Sequence, residues 1–319
     1  MSKPTVSICT PTYNRRFFIP ALIKCFKAQK YPQELIEWII VDDGDDPVGD
    51  LFKKIPNAKY FYYKEKLKLG RKRNIVHSHC KNEIIIYMDD DDYYPPDRIK
   101  EAVLMLNANP KKMIAGSSKM LMYYTHCEKI YSLGPYGKNH ATAGTFAFRR
   151  KLLDDTSFDD NAEQAEEKHF LKNYSYPMIQ LDPIKTILVI SHNNNTFDKK
   201  QMIGNERRFN MRETNFKLKK IIRNKKLRDF YKNKTKEFFF NKIPKNIKQE
   251  NTTKEDIIQE NTTKEDSKQE NTTKENIKQK NIIQENTTIK DIKQENITQE
   301  DIIQEDIIKK EITKEDSNQ

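Results

Sequence analysis

Short apolar runs alternate with segments of helical spacing over residues 1–205. Four runs have the continuous apolar character of buried strands, and they span Thr5–Thr10, Leu35–Val41, Tyr60–Tyr63 and Glu83–Met88. Between them, helices are predicted over Phe17–Lys30 and from Arg71 to about His79. Strands that alternate with helices of about ten residues predict an α/β fold, with a Rossmann-like, mainly parallel sheet flanked by helices.

Acidic clusters directly follow two of these strands. Leu35–Val41 runs into residues 42–46, four of which are Asp, and Glu83–Met88 ends in Asp89–Asp92. Ligand sites in such sheets lie at the carboxyl ends of the strands. Neighbouring carboxylates raise one another's pKa unless a cation neutralises them. A solvated acidic loop is the alternative, but this position favours a site for Mg²⁺ or Mn²⁺, where the ion would grip the diphosphate of a nucleotide.

Two segments of different composition follow. Residues 207–240 have helical spacing, and residues 207–248 hold 16 Lys and Arg against 3 Asp and Glu. Residues 249–319 repeat a polar unit such as Asn251–Glu260, and isoleucine is their only hydrophobic residue type. Too little apolar surface is available there to offset the entropy of ordering. We predict a basic helical extension over 206–248 and a low-complexity repeat tail over 249–319 that is disordered or weakly helical.

Charge is unevenly distributed along the chain. The net charge of +11 combines +5 over 1–206, +13 over 207–248 and −7 over 249–319. Basicity confined to one segment does not indicate nucleic-acid binding, and 207–248 lacks a recognisable nucleic-acid motif. Three interpretations of this segment stay open: a packing helix with a solvated face, contact with an anionic membrane surface, or contact with an acidic partner.

Other classes of protein are disfavoured. No stretch approaches the ~18 to 20 apolar residues of a membrane span, and the first residues lack a signal-peptide pattern. Cys9, Cys25, Cys80 and Cys127 are widely spaced, without a C-x-x-C pair, and are expected to be reduced thiols. We therefore expect a soluble cytoplasmic protein, with peripheral membrane contact through 207–248 as an alternative.

The chain resembles the family 2 glycosyltransferases, which have the GT-A fold. Four motifs carry the resemblance in order over about 90 residues: Ser7–Arg15, Trp38–Gly44, Gly70 with Arg73-Asn74, and Ile86–Asp97. The resemblance extends more loosely to about residue 205, so that 1–205 is the predicted GT-A glycosyltransferase domain. The residue that usually follows the Asp43-Gly44 pair in this family is Ser, and here it is Asp45.

The resemblance implies a set of donor-binding residues. The loop Thr10–Tyr13 and Asp42 would hold the base and ribose of a nucleotide sugar, and Arg73 would face its diphosphate. The full implied set is Pro11, Tyr13, Arg15, Asp42, Asp43, Arg73, Asp89 and Asp90. A helix-surface cation is the alternative for Arg73.

The resemblance also implies a metal site. Asp89 and Asp91 match the first and last acids of the family's D-x-D motif, with Asp91 as the direct ligand of Mn²⁺ or Mg²⁺. Because residues 89–92 are all Asp, the register could shift by one residue. His192, which follows another apolar strand, is a candidate third ligand, and a structural histidine is the alternative.

A base for the acceptor hydroxyl is implied near residue 167. Glu166-Glu167 resembles the family's acidic pair, in which the second acid is usually Asp and acts as base. Glu167 is the predicted base and Glu166 the alternative, with a solvated helix face as a third interpretation. Residues 143–150 resemble the small-residue segment that lines the acceptor side.

These implications predict an inverting, metal-dependent transferase of the hexosyl or N-acetylhexosaminyl class. The donor would be a nucleotide-diphosphate sugar, with a UDP-sugar expected, and the acceptor a hydroxyl of a glycan, protein or lipid. A nucleotidyltransferase is disfavoured, because residues 11–15 (Pro-Thr-Tyr-Asn-Arg) are not a Gly-rich phosphate loop. An inactive GT-A-like interaction protein that recruits partners through its repeat tail is the alternative. No nucleic-acid partner is expected.

Overall fold

The computed structural model describes residues 3–193, 195 and 199–241, all within one compact unit over residues 1–242. The strands of this part are β1 (Val6–Thr12), β2 (Ile36–Asp42), β3 (Ala58–Tyr62), β4 (Ile84–Tyr87), β5 (Ile114–Gly116), β6 (Met120–Tyr124), β7 (Lys129–Leu133), β8 (Ala147–Arg149), β9 (Met178–Gln180), β10 (Leu188–Ser191) and β11 (Met211–Glu213). The helices are α1 (Ile19–Lys27), α2 (Gly49–Phe52), α3 (Leu69–His79), α4 (Arg98–Ala108), α5 (Glu167–Phe170), α6 (Pro183–Thr186), α7 (Leu218–Ile221), α8 (Lys225–Asp229) and α9 (Thr235–Asn241).

The larger sheet has the strand order β3-β2-β1-β4-β8-β5-β9. The pairs β3–β2, β2–β1, β1–β4 and β5–β9 are parallel, whereas β8 runs antiparallel to both of its neighbours. The predicted α/β fold with a mainly parallel sheet flanked by helices is therefore confirmed. Strand order reverses between β1 and β4, and a crevice at such a switch point is where open α/β sheets bind ligands.

Continuous apolar sequence explains why β1 and β2 are central. Every residue of both strands is buried, which is typical of strands covered on both faces. Trp38 of β2 stacks on Phe26 of α1 with ring centroids 4.3 Å apart. Its indole nitrogen donates to Thr10 Oγ1 at 2.9 Å, and Thr10 in turn donates to the Met88 carbonyl at 2.6 Å. These contacts fix the end of β4, and with it the start of the acidic loop, relative to β1.

A second sheet has the order β10-β6-β7-β11. It is connected to the acidic loop through an antiparallel bridge between Tyr93 and Leu188, whose amides and carbonyls exchange hydrogen bonds of 3.1 and 2.9 Å. Because Leu188 begins β10, this bridge brings the end of β10, and the following His192, to the acidic loop. The second sheet therefore supplies part of the wall of the cleft described below.

The extension is not helical throughout its described part. Met211–Glu213 forms β11, antiparallel to β7, and only short helices and one π-helical turn, Phe230–Lys234, follow. Its apolar side chains are part of the main core, since Ile222, Leu227 and Tyr231 are each at most 3% exposed. The domain boundary at 205/206 stays a prediction. Residues 242–248 and the repeat tail lie outside the described residues.

Candidate active site

A cleft of about 820 Å³ opens at the carboxyl ends of β1 and β4. Its walls come from the loop after β1, the loop and helix after β3, the acidic loop, and the segment after β10. The lining residues are Pro11, Thr12, Tyr13, Asn14, Arg15, Lys66, Leu67, Lys68, Leu69, Lys72, Arg73, Asp89, Asp90, Asp91, Glu163, Asn193 and Asn195. Both charge signs therefore face the same volume, as the binding of an anionic ligand together with a cation would require.

Asp89 enters the cleft at the end of β4. Its amide donates to the Tyr94 hydroxyl at 2.7 Å, and its carboxylate lies 3.4 Å from Nη1 of Arg73. A Cβ at Gly144 would come within 2.6 Å of Asp89 Oδ2, so glycine allows this carboxylate its position. Burial raises the pKa of Asp89, Arg73 opposes the shift, and Asp91 adds to it.

Asp91 and His192 lie in contact, although 101 positions separate them in the sequence. His192 Nε2 lies 3.1 Å from Asp91 Oδ2, and the Asn195 amide nitrogen lies 3.3 Å from the same oxygen. Burial opposes the charge on Asp91, but the hydrogen bond from His192 and the charge of Lys199 hold the pKa of this carboxyl below its ordinary value. Burial lowers the pKa of His192. The pair therefore combines an ionised carboxylate with a neutral imidazole.

Arg15 lies beside the middle of the acidic loop. Its Nε is 3.7 Å from Asp90 Oδ1 and 3.4 Å from Asp91 Oδ2. Burial and the charge of Asp91 raise the pKa of Asp90 to about 7, and Arg15 opposes this shift. Arg15, Asp90 and Asp91 all line the cleft, as do the predicted donor-binding residues Pro11 and Tyr13.

Arg73 joins the acidic loop to helix α5. Its Nε donates to Glu166 Oε1 at 2.8 Å, and its guanidinium carbon lies 4.6 Å from the centroid of the Tyr87 ring. Burial opposes the charge of Arg73, but Asp89 and Glu166 outweigh it and raise the pKa of the guanidinium. Arg73 is 4% exposed and is thus held inside the cleft wall. The structure therefore does not place it as a solvated helix-surface cation.

The two predicted base candidates occupy different environments. Glu166 is buried against Arg73, whereas Glu167 begins α5 and is half-buried. Burial, and then the charge of Glu166, raise the pKa of Glu167. Neither glutamate is among the residues that line the cleft, although Glu163 is. The role of Glu167 as base stays a prediction.

Asp42 and Asp43 stabilise the turn after β2 and do not line the cleft. Asp42 accepts from the amides of Gly44 and Val48 at 2.9 and 3.0 Å, and from the Tyr60 hydroxyl at 2.6 Å. Asp43 pairs with Lys72 and accepts from the Leu67 amide at 2.6 Å. In this structure their carboxylates are used by the protein itself, so the predicted contact of Asp42 with a nucleotide stays a prediction.

Sequence reasoning missed several residues of the cleft wall, among them the charged residues Lys66, Lys72 and Glu163. Lys66 Nζ lies 4.6 Å above the Tyr13 ring, and Lys72 donates to the Thr12 carbonyl at 3.1 Å. The alternation of lysines at 64, 66 and 68 before Gly70 is a local signal that could have indicated the first of these. Lys72 and Glu163 have no comparable signal, because only the tertiary fold brings them to the cleft.

Comparison with known proteins decides the family. Residues 7–157 match the sequence profile described as glycosyl transferase family 2. Residues 7–157, a little under half of the chain, are thus similar to glycosyl transferase family 2. The predicted resemblance to this family is thereby confirmed, and the matched range contains β2, β4, the whole acidic loop and all of β1 except Val6.

Curated relatives of this chain are matched over part of their length. The poly(ribitol-phosphate) beta-N-acetylglucosaminyltransferase TarS of Staphylococcus aureus is 25% identical over 114 residues, which cover 32% of this chain and 18% of TarS. An uncharacterized glycosyltransferase of Rickettsia typhi is 30% identical over 105 residues, covering 33% of this chain and 32% of the relative. The chain thus matches less than a third of the length of either one.

Solved structures with a similar fold include a mannosyltransferase, PcManGT, of Pyrobaculum calidifontis in complex with GDP-Man and Mn²⁺. It has a TM-score of 0.49 at 19% identity, and the match covers 61% of this chain and 59% of that one. S. aureus TarS 1–349 in complex with UDP-GlcNAc has a TM-score of 0.45 at 17% identity, with 60% of each chain covered.

Proposed function

We propose that this chain is a metal-dependent, inverting glycosyltransferase that moves a sugar from a nucleoside-diphosphate donor to a hydroxyl acceptor. The observation that carries the proposal is the placement of Asp89 and Asp91 at the switch point of a family 2 sheet, in one cleft with Arg15 and Arg73. A diphosphate accepts hydrogen bonds from arginine guanidinium groups and also binds a divalent ion, so it suits a cleft that contains both.

The donor set suits Mn²⁺ or Mg²⁺. Within the described residues, no group of three or more His, Cys, Asp or Glu side chains is arranged to hold a metal ion. Such ions are commonly bound by one or two carboxylates together with substrate phosphates. Asp91 Oδ2 and His192 Nε2 are 3.1 Å apart, close to the ~3.0 Å between adjacent ligands of an octahedral ion with bonds of about 2.1 Å. Asp91 and His192, with Asp89 nearby, would hold the ion, which supplies Lewis-acid stabilisation of the departing diphosphate.

The chain's own residues would carry the proton transfer. The acceptor oxygen attacks the anomeric carbon, the bond from that carbon to the diphosphate breaks, and Glu167 takes the acceptor proton. A raised pKa makes Glu167 a better base near neutral pH. Arg73 already holds Glu166, which favours Glu167 over Glu166 for this role.

The proposal extends to the class of donor sugar and acceptor. TarS is described as an N-acetylglucosaminyltransferase and was solved with UDP-GlcNAc, and PcManGT was solved with GDP-Man. We propose a hexosyl or N-acetylhexosaminyl donor, with a UDP-sugar first, and a glycan, protein or lipid hydroxyl as acceptor.

In the described part of the chain no helix is both long and apolar enough to cross a membrane. Exposed cations such as Arg212, Lys219 and Lys226 support peripheral contact with an anionic surface, and the predicted cytoplasmic location is kept as part of this proposal.

Donor hydrolysis in the absence of acceptor is the first test. Full-length protein is incubated with MnCl₂ and a panel that includes UDP-GlcNAc, UDP-glucose and GDP-mannose, and release of the nucleoside diphosphate is measured. Turnover of at least one donor that is abolished by EDTA and restored by Mn²⁺ is expected. No binding and no turnover with any donor would favour the inactive interaction protein.

A further inference from the structure

The segment 225–238 belongs to the core that supports the acidic loop. Leu227 and Tyr231 are 3% and 1% exposed. Tyr231 lies in the π-helical turn Phe230–Lys234, between α8 and α9. Single π turns inside α-helical segments occur frequently at functional sites, so this turn points to a role for Tyr231 beyond packing.

The Tyr231 hydroxyl is directed at the acidic loop. It donates to the main-chain carbonyl of Asp92 at 2.8 Å, across 139 positions of sequence. The Asp92 side chain accepts from the amide of Ile190 at 2.8 Å, two residues before His192. Asp92 is therefore held on one side by Tyr231 and on the other by the strand that carries His192. Because Asp92 adjoins Asp91, these two bonds fix the position of Asp91 relative to the strand that leads to His192.

Aromatic contacts connect the same turn to His192. Phe230 stacks on Phe17 with centroids 4.9 Å apart and meets Phe18 edge-on at 6.0 Å. Phe18 packs against the His192 ring at 4.6 Å. The turn thus touches a neighbour of Asp91 through Tyr231 and a neighbour of His192 through Phe230. A shift of this turn would displace both ligands together.

We propose that Tyr231 is a positioning residue of the metal–diphosphate site. It holds Asp92, whose main chain adjoins Asp91 and whose side chain binds the strand that leads to His192. This inference rests on the proposed function. It assigns part of the site to the C-terminal extension, beyond residues 7–157 that match the family profile. Outer-shell partners of metal ligands typically change metal affinity or activity by about 10- to 100-fold when they are removed.

The test compares two tyrosine-to-phenylalanine variants of the full chain. Tyr231→Phe removes the hydroxyl bonded to Asp92, and Tyr31→Phe removes a hydroxyl that donates to the Pro4 carbonyl at 2.6 Å, before β1 and outside the cleft lining. The dissociation constant of Mn²⁺ is measured from the paramagnetic resonance signal of free Mn²⁺, with UDP and GDP tested in parallel. Thermal unfolding of each variant is recorded to compare their folding.

The expected result is a Mn²⁺ dissociation constant at least about tenfold higher in Tyr231→Phe, with Tyr31→Phe close to wild type and both variants folded. Equal dissociation constants in the two variants would overturn the inference while leaving the proposed function intact. If the wild type binds Mn²⁺ with UDP but transfers no sugar, the proposed function fails and the tenfold difference still decides the inference. If the wild type binds no Mn²⁺ with either nucleotide, both are overturned.

Discussion

The Nε2 atom of His192 lies 3.1 Å from the carboxylate of Asp91, although 101 positions separate them in the sequence. Two strands create this contact, because β4 leads into the acidic loop and β10 ends just before His192. The Tyr93–Leu188 bridge joins the acidic loop to β10. The pairing of a neutral imidazole with an ionised carboxylate gives the site one nitrogen and one oxygen donor. Neutral imidazole and carboxylate are both common metal ligands.

Arg73 and Glu166 should be energetically coupled. In a double-mutant cycle of Arg73→Met and Glu166→Gln, the coupling is expected to be about 1.5 to 3 kcal/mol, because the hydrogen bond involves two buried charged groups. The free energy of unfolding of each variant is measured by urea denaturation. The exposed pair Lys172–Asp155, at 2.6 Å, is the matched control and should give a clearly smaller coupling, because water screens the interaction of exposed charges. Equal coupling energies in the two cycles would show that burial does not strengthen the Arg73–Glu166 interaction.

Glu167→Gln should lower kcat for donor hydrolysis by about 10²- to 10⁴-fold, since general-base catalysis contributes on this scale. The KM for the donor should change little, because Glu167 does not line the cleft. Glu163→Gln, which removes an exposed acid of the cleft wall, is the control and should retain most of kcat. If Glu166→Gln lowers kcat and Glu167→Gln does not, Glu166 is the base and the assignment to Glu167 is wrong.

His77 should make the protein less stable as pH falls. Burial and the charge of Arg73 lower the pKa of His77 to about 3, against about 6.5 in the unfolded chain. Between these values the unfolded chain binds the proton and the folded chain does not, so His77 reduces stability as pH decreases below about 6.5. From pH 7 to pH 5 this contribution is about 2 kcal/mol.

Urea denaturation at the two pH values measures this effect. His77→Phe removes the titrating ring, so its loss of stability on acidification should be about 2 kcal/mol smaller than in the wild type. Removal of the His77 contact with the Tyr87 hydroxyl, at 2.8 Å, acts at both pH values and cancels in the comparison. If the wild type and His77→Phe lose the same free energy of unfolding between pH 7 and pH 5, His77 is protonated in the folded protein at pH 5.

Two truncations should have opposite results. Cutting after Lys248 removes only the repeat tail, whose sole hydrophobic residue type is isoleucine, so folding and donor hydrolysis should be retained. Cutting after Asn205 removes Ile222, Leu227 and Tyr231, which are buried in the core, and should prevent stable folding. Thermal unfolding and donor hydrolysis are measured for both. Loss of folding or of donor hydrolysis in the variant cut after Lys248 would refute the prediction that the repeat tail is disordered.

The sequence predicted the central strands well, because local signals are strong there. The runs at β1, β2 and β4 are continuous and apolar, and acidic residues mark the ends of β2 and β4. Element ends were less accurate: the helix predicted over Phe17–Lys30 spans Ile19–Lys27, and the strand predicted at Tyr60–Tyr63 spans Ala58–Tyr62. Ends depend on local contacts that hydrophobic spacing does not encode.

Other features could not be read from the sequence, because non-local pairing determines them. Met211–Glu213 lies in a segment whose apolar spacing predicts a helix, yet it forms a strand that pairs antiparallel with β7. The contact of Asp42 with a nucleotide stays a prediction, whereas the hydrogen bonds that its oxygens accept from its own turn were not anticipated. Lys72 lies in the cleft wall, where it forms an ion pair with Asp43 from a different element. The family resemblance located the acidic loop, whereas its partners required the tertiary structure.

Asp91 provides the most direct test of the central claim, that the acidic loop holds a divalent ion on a nucleotide-sugar diphosphate. Donor hydrolysis is measured with Mn²⁺ for the wild type, Asp91→Asn, His192→Ala and Asp154→Asn, the last being an exposed acid outside the cleft lining. We predict a loss of at least about 100-fold in Asp91→Asn and about 10- to 100-fold in His192→Ala, with Asp154→Asn near wild type. Unchanged, metal-independent hydrolysis in Asp91→Asn would contradict the claim.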